Sequence, residues 1–353
     1  MTPSPRNIAA LVIVLLFWAL WPQQSNAETV TEDQVKPAPL AADLVTDGQP
    51  ISLDSERYRM LFGELHSKYG FNKDELEKTF AGITIQKRVL ELMDKQWESR
   101  PWYEYYPRFI TTRNILEGRK QLHRYQELLD KIEKELGVER EIIVAIWGIE
   151  SRFGQNKGDF NLFRTLNTMF DAYPRRSEFY RTQLIDLLLL CRDNNVDPRA
   201  ITGSYGGAFG QTQFIPSSFQ EYAVDFDHDG HRDVWSSVPD VLASIANYLH
   251  RYGWKFGAPI YVDIGTELHE TKLVEIFKLG RKGLVGWQEV ANSQKIELAP
   301  PPGNKELTIV GLEQREGGMR YLAGYPNLQA ITKWNNSNRY AVAVAQLAEQ
   351  FKE

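Results

Sequence analysis

The sequence predicts an α+β fold that is mainly α, and three observations carry this reading. Apolar residues recur at three- and four-residue spacing through residues 54–136 and again through 138–255, the period that lines one face of a helix. From 258 to 331 the texture changes to short β-prone runs at 260–264, 307–310 and 319–322, set between glycine and proline clusters. Such runs indicate a small sheet. The last segment, 340–351, returns to helical spacing.

In chain order, Arg6 precedes an apolar run of 14 residues, 8–21, and then Ser25-Asn26-Ala27. A small-x-small site after such a run marks residues 1–27 as a secretory signal peptide. The run is shorter than the ~20 residues a membrane span needs, so stable membrane insertion after cleavage is not expected. No cysteine follows it for lipid attachment, and the sole cysteine, Cys191, comes after four leucines at 187–190 and reads as buried packing. A periplasmic, monomeric protein is expected, held by its core rather than by disulfides. The net charge of −5, or −6 without Arg6, and the lack of a basic block argue against nucleic acid as a partner. Aromatic residues make up 12%, with 9 Trp and 16 Tyr, flat rings with polar tips that suit a sugar cleft.

Residues 28–50 carry Pro37, Pro39, Gly48 and Pro50 and read as a flexible linker. A helical domain follows over 51–136. Within it, Arg100-Pro101-Trp102-Tyr103-Glu104-Tyr105-Tyr106-Pro107 reads as an aromatic loop, because two prolines oppose a regular helix. A second helical region with glycine- and aspartate-rich loops spans 137–256, a small β domain 257–332, and a C-terminal segment 333–353.

The chemistry concentrates in the second helical region. The helix over 138–151 carries Ile142, Ile143, Ile146, Trp147 and Ile149, and Glu150 follows Ile146 by four and Trp147 by three. That spacing sets a carboxylate on or beside an apolar face, where desolvation raises its pKa toward the range a general acid needs. The bland alternative is a helix-end glutamate paired with Arg152. Downstream, Gly203-Ser204-Tyr205-Gly206-Gly207-Ala208-Phe209-Gly210-Gln211-Thr212-Gln213-Phe214 lacks the Gly-Lys-Ser/Thr of a phosphate loop. Its glycines admit close approach of a ligand, and Ser204, Gln211 and Gln213 offer neutral partners for sugar hydroxyls and acetamides.

With Glu150-Ser151-Arg152-Phe153-Gly154, Tyr173-Pro174-Arg175-Arg176, the glycine-rich stretch, residues 225–235 and Asn247-Tyr248 in place, the chain resembles the lytic murein transglycosylase B family from about Ser52 to Phe351. The resemblance implies a lysozyme-like catalytic core over 137–256 with Glu150 as its acid/base. It also implies that Ser204 and Gln213 lie beside Glu150, and that Arg175, Arg176 and Tyr248 line a glycan cleft. The two arginines would suit lactyl or peptide carboxylates. Tyr105 or Tyr106 is carried over as a sugar contact, and in the returning segment Asn335 and Tyr340 would face the cleft, with Trp334 where the family often shows tyrosine.

Asp225, Asp227, Asp229, Gly230, His231 and Asp233 hold the first, third, fifth, sixth, seventh and ninth places of an EF-hand-like loop, a spacing that converges oxygens on Ca²⁺. The backbone oxygen of His231 would be the seventh-position ligand. Ser236 stands at the twelfth place instead of Glu, and Asp240 looks like the family's replacement. So many carboxylates favour a hard cation over zinc, despite His228 and His231. The ion would be structural, and no organic cofactor is expected.

The activity the resemblance implies is non-hydrolytic cleavage of the β-1,4 bond between N-acetylmuramic acid and N-acetylglucosamine, leaving 1,6-anhydro ends. The partners are peptidoglycan glycan strands, with cell-wall assembly proteins as further candidates. Two rivals stay open: a hydrolytic muramidase, which would need a second carboxylate, and a non-catalytic, calcium-stabilised peptidoglycan-binding protein.

Overall fold

Side-chain caps fix where several helices begin. Asn72 Oδ1 accepts from the amides of Asp74 and Glu75, Thr111 Oγ1 from Asn114, Asn161 Oδ1 from Arg164, and Ser237 Oγ from Asp240, each satisfying an amide the helix leaves open. The structure is a computed structural model that describes residues 40–94 and 100–352. The expected signal peptide, and residues 28–39 of the expected linker, lie outside the described residues. The helices are α1 (Glu56–Ser67), α2 (Lys73–Phe80), α3 (Lys87–Met93), α4 (Trp102–Tyr105), α5 (Thr112–Arg124), α6 (Gln126–Leu136), α7 (Arg140–Ser151) and α8 (Leu162–Ala172). They continue with α9 (Ser177–Asp193), α10 (Pro216–Tyr222), α11 (Val238–Arg251), α12 (Thr271–Lys278), α13 (Trp287–Gln294), α14 (Pro326–Trp334) and α15 (Asn338–Lys352).

Helix α7 is the centre of the main core. Ile142 through Gly148 are all buried, so the helix is enclosed on every side, with α5, α6, α11 and α15 packed around it. Helices α8 and α9 pack together. Phe80 and Phe170, both essentially inaccessible, meet Tyr58 of α1 in edge-to-face contacts, Phe163 meets Phe80 in another, and the Tyr58 hydroxyl donates to Asn167 Oδ1 at 2.8 Å. A two-stranded ladder pairs β1 (Phe160–Asn161) with β2 (Thr202–Gly203), tying the start of α8 to the glycine-rich stretch.

The β-prone region folds into a four-stranded antiparallel sheet of β3 (Tyr261–Gly265), β4 (Leu284–Val285), β5 (Leu307–Glu313) and β6 (Met319–Gly324), in the order β3-β6-β5-β4. It has its own smaller core, in which Leu273, Val290, Leu307, Ala323 and Tyr325 are inaccessible. Helices α12 and α13 belong to this region, and α12 packs on β5; the sequence reading treated it as strands and turns alone. Leu273, Ile276 and Phe277 at three-and-four spacing are the helical signal within it.

Two other expectations are corrected. Residues 41–50 are not a linker: Ala42 is buried, and Gly48, Gln49 and Ile51 exchange backbone hydrogen bonds with Ile83 and Ile85, an added strand-like contact that satisfies those amides. The segment 100–107 is not a loop but α4 followed by a 3₁₀ turn at Tyr106–Arg108. Pro101 precedes the first helical residue, where a missing amide costs nothing, and Pro107 sits in the first turn of the 3₁₀ segment. Among the described residues no helix is long and apolar enough to cross a membrane.

Candidate active site

The last turn of α7 presents Glu150. The helix stops because Arg152, Phe153 and Gly154 are left-handed in succession, at φ 51°, 57° and 80°. The reversal folds the Phe153 ring back against Trp147 at 5.6 Å, into the space above Gly148 that any Cβ would fill. Glu150 is half-buried. One carboxylate oxygen, Oε1, accepts from Trp334 Nε1 at 2.9 Å and from the Tyr340 hydroxyl at 2.5 Å. Burial pushes the Glu150 carboxyl up to about 7, against the pull of these two donors. The Tyr340 hydroxyl is raised well above its ordinary range by burial and then by the neighbouring carboxylate, so it remains a donor. No second carboxylate acts on Glu150 among the described residues. Because both donors occupy one oxygen, the other is left to carry the proton.

The glycine-rich stretch forms a tight turn beside β2. The Ser204 amide donates to the Ala208 carbonyl at 2.7 Å, and the Ser204 Oγ accepts from the Ala208 amide at 3.1 Å. Gln213 is held left-handed at φ 51° while its Nε2 donates to the carbonyls of Gly210 and Lys157; such backbone strain recurs at functional sites. The next residue, Phe214, packs against Trp334 with tilted rings 5.0 Å apart, which joins this loop to the Glu150 donors. Gln211 does not face a sugar. Its Oε1 accepts from Trp147 Nε1 and its Nε2 donates to the Trp235 carbonyl, both at 3.0 Å, so the side chain is spent linking α7 to the aspartate loop. Any Cβ on Gly154 would fall on its amide.

The other expected residues divide. Tyr105 is half-buried, packs against Phe109 with tilted rings 5.0 Å apart, and acts on Tyr340, which places it near Glu150; Tyr106 instead is exposed and stacked on Trp102 at 5.4 Å. Tyr248 does not line an open cleft: its ring is 6% exposed and its hydroxyl donates to the Lys333 carbonyl at 2.5 Å. It packs 4.7 Å from Trp334 and supports the donor rather than meeting a ligand. Asn335 is half-buried directly after α14. Arg175 and Arg176 are exposed, and Arg176 lies 4.2 Å over Phe179 and 5.4 Å from the ring of Tyr180, whose hydroxyl points at the Gly206 carbonyl. Through Tyr180, Arg176 is thus linked to the glycine-rich turn. Trp334 as a hydrogen-bond donor to the carboxylate is the feature the sequence reading missed.

In the aspartate loop, carboxylate oxygens of Asp225, Asp227 and Asp229 lie within 4.8 Å of one another. Asp225 accepts from the amides of Asp229 and Gly230, and Asp229 from that of His231, so the backbone curls around the cluster. Asp240 stands apart from that group of three: it is fully buried, its two oxygens accept from the amides of Phe226 and Asp233 at 2.8 and 2.7 Å, and it lies close enough to Asp227 to feel its charge. It closes the loop from behind, because a buried carboxylate needs hydrogen-bond donors on both oxygens.

Comparison with known proteins gives a consistent result. The membrane-bound lytic murein transglycosylase B of Escherichia coli K12 is 34% identical over 299 residues, covering 80% of this chain and 79% of that one. Among solved structures, the soluble lytic transglycosylase SltB1 of Pseudomonas aeruginosa superimposes with a TM-score of 0.77 at 34% identity, covering 84% of this chain and 97% of that one. The Escherichia coli lytic transglycosylase Slt35 in complex with calcium gives 0.76 at 30% identity, covering 87% and 96%. The mainly helical architecture with its small sheet is the one found in Slt35. Residues 54–349 match the transglycosylase SLT domain, and the chain belongs to that family.

Proposed function

We propose that this protein is a peptidoglycan lytic transglycosylase that cleaves the β-1,4 bond from N-acetylmuramic acid to N-acetylglucosamine, with Glu150 as its single acid/base. The observation that carries the reading is a half-buried carboxyl raised to about 7, with two donors on one oxygen and no second carboxylate acting on it among the described residues. Near neutral pH such a group is protonated often enough to act as an acid and releases its proton readily enough to act as a base. In the first step the free oxygen gives its proton to the departing glycosidic oxygen, and the C–O bond breaks as the acetamide oxygen of the muramoyl residue closes on C1. In the second step the carboxylate takes the proton of the C6 hydroxyl, O6 bonds to C1, and the acetamide leaves. Every proton is accounted for without water, in contrast to the two-carboxylate hydrolases. Trp334 and Tyr340 bind the ionised form through charge-assisted bonds between the two steps.

Ser204 and Gln213 on the glycine-rich turn, with Tyr105 across from them, are assigned to the sugar ring, and Arg175 and Arg176 to anionic groups farther along the strand. In this reading residues 137–256, together with the returning segment 333–353, are the catalytic core. The three clustered carboxylates of the aspartate loop fit a calcium ion, since they are oxygen-only donors on a backbone already curled around them; with the carbonyl of His231 they would hold it. A cleaved signal at 1–27 would deliver the enzyme to the periplasm. The test is mass spectrometry of muropeptides released from purified sacculi by the wild type and by Glu150→Gln. Anhydro-ended products from the wild type alone support the proposal, whereas reducing-ended products convert it to a hydrolase.

A further inference from the structure

Beyond the glycine-rich turn, the surface holds a second concavity, of about 440 Å³, walled by the loop after α9, by β2 and by the aspartate loop. Glu150, Trp334 and Tyr340 are not among its lining residues. Its apolar side is Val196, Ala200, Ile201 and the half-buried ring of Trp235. Trp235 packs on Phe209 and Phe219 with centroids 5.3 and 5.7 Å apart, so the ring is held in place before any ligand arrives. Most charged groups around the cavity are already engaged. Arg232 donates to the carbonyl and to Oε1 of Gln220 at 3.3 and 3.2 Å and lies over Phe219. Asp233 accepts from the amides of Trp235 and Ser236 at 2.7 and 2.9 Å, and Asp229 belongs to the carboxylate cluster. What remains is Lys157, whose ammonium uses one of its three protons on the Trp235 carbonyl at 3.3 Å, with the exposed side chains of Thr202 and His231 beside it.

We infer that this cavity is a second glycan site, taking an N-acetylhexosamine unit of the strand at a distance from the bond assigned to Glu150; the inference rests on the transglycosylase reading for its ligand. Two cations and two carboxylates line it, Lys157 and Arg232 against Asp229 and Asp233, a balance that suits a neutral ligand over an ionic one. An apolar wall with a fixed aromatic ring and a few polar groups at the rim matches a sugar, whose C–H face packs on the ring while its hydroxyls turn to the donors. The volume equals that of roughly fifteen waters, room for one or two sugar residues. The cavity adjoins the turn assigned to the sugar at Glu150. The Lys157 carbonyl accepts from Gln213 Nε2 at 3.2 Å, and Gly158 lies so close to Gly203 that any Cβ would meet its carbonyl. Thr202 is two residues from Ser204, at most ~7 Å along an extended chain. A strand that runs on past Ser204 and Gln213 therefore comes to the cavity, and the enzyme holds long strands more tightly than short fragments.

The experiment uses full-length Glu150→Gln protein and peptide-free glycan strands of two lengths, tetrasaccharides and long chains, with binding read by calorimetry at fixed calcium. Long chains bind about tenfold tighter, the equivalent of ~1.4 kcal/mol from one stacked ring and its hydrogen bonds. Ala200→Trp fills the cavity from an exposed position, and Lys157→Met keeps the carbonyl that holds Gln213; each removes the preference and leaves tetrasaccharide binding unchanged. With Glu150 restored, Ala200→Trp raises KM on long chains and leaves kcat as it was. Equal affinity for both lengths in the parent, a preference that survives both substitutions, or an equal loss on both probes overturns the inference. Release of anhydro products without a length preference retains the catalytic reading and sinks this one, and a length preference without product release does the reverse. The two substitutions lie on different loops, so a folding defect in one variant leaves the other as the test.

Discussion

Replacing Glu150 with glutamine removes the acid/base and at the same time stabilises the fold at neutral pH. An ordinary glutamate titrates near 4.5, and burial lifts this one to about 7. At ~1.4 kcal/mol per tenfold in proton affinity, keeping the carboxylate charged in the folded protein costs at most about 3 kcal/mol above pH 7. Partial exposure of Glu150 reduces this to an expected 1–2 kcal/mol, roughly, since water screens part of the field. The sign follows from linkage: the folded state binds the proton more tightly than the unfolded chain, so stability is full below pH 4.5 and declines as pH rises toward 7. Glutamine keeps the oxygen that accepts from Trp334 and Tyr340 but does not titrate. Urea unfolding of both proteins from pH 4.5 to 8.5, at fixed calcium, should show equal stability at the acid end and a growing advantage for Glu150→Gln toward pH 8. A difference independent of pH, or a wild type that is the more stable at pH 8, refutes the claim that Glu150 is held in a desolvating site.

The same group predicts that kcat/KM for glycan cleavage falls as pH rises through about 7, where the free enzyme loses its acid form. Trp334→Phe and Tyr340→Phe each remove a donor that lowers the Glu150 pKa, so pH–rate profiles of both should show that alkaline limb moved to higher pH. Gln211→Leu leaves Trp147 Nε1 buried without its acceptor and should lower stability by about 1–3 kcal/mol, measured as a shift in the urea midpoint. Chelation should lower the melting temperature of the wild type, and not that of Asp227→Asn if that variant no longer binds calcium; saturation at a hundred times Kd contributes ~2.7 kcal/mol. Gly158→Ala puts a methyl group onto the Gly203 carbonyl at a left-handed position, φ 88°, and should cost ~1–3 kcal/mol in the same unfolding assay.

How much of this was legible in the sequence depends on distance along the chain. The placement of Glu150 beside an apolar face follows from its spacing to Ile146 and Trp147, a purely local pattern. Its hydrogen-bond partners lie 184 and 190 residues away, and nothing local distinguishes a tryptophan that donates to a carboxylate from one that fills a core. Tyr248 shows the same limit from the other side. Its place in the Asn247-Tyr248 motif suggested a cleft residue, yet the apolar stripe of α11 turns it inward, and only the tertiary packing on Trp334 reveals its role. The prolines of 100–107 misled for a different reason: they oppose helix interiors, whereas here one precedes a first turn and the other begins a 3₁₀ turn. Asp240 matches a ligand position in sequence, but no local pattern shows that its buried carboxylate also accepts from the amides of Phe226 and Asp233.

The returning C-terminal segment is part of the active site rather than an appendage to it. Both donors to Glu150 arrive on it, Trp334 at the end of α14 and Tyr340 at the start of α15, so Glu150 has its pKa set only when the chain has come back to α7. The small sheet makes that return accurate. Glu313 at the end of β5 accepts from Arg339, one residue before Tyr340, and also from the Trp102 amide at the start of α4. One side chain of the sheet thus anchors both the donor segment and the aromatic helix that carries Tyr105. Tyr248 fixes the other side through Lys333. Glu313→Gln should then leave the sheet folded yet loosen both walls at once, lowering kcat more than it raises KM, because the bonds lost are those that orient Glu150 and not those that hold the strand. A rise in KM alone would place Glu313 among the substrate contacts instead, and an unchanged kcat would show that Trp334 and Tyr340 are held without it.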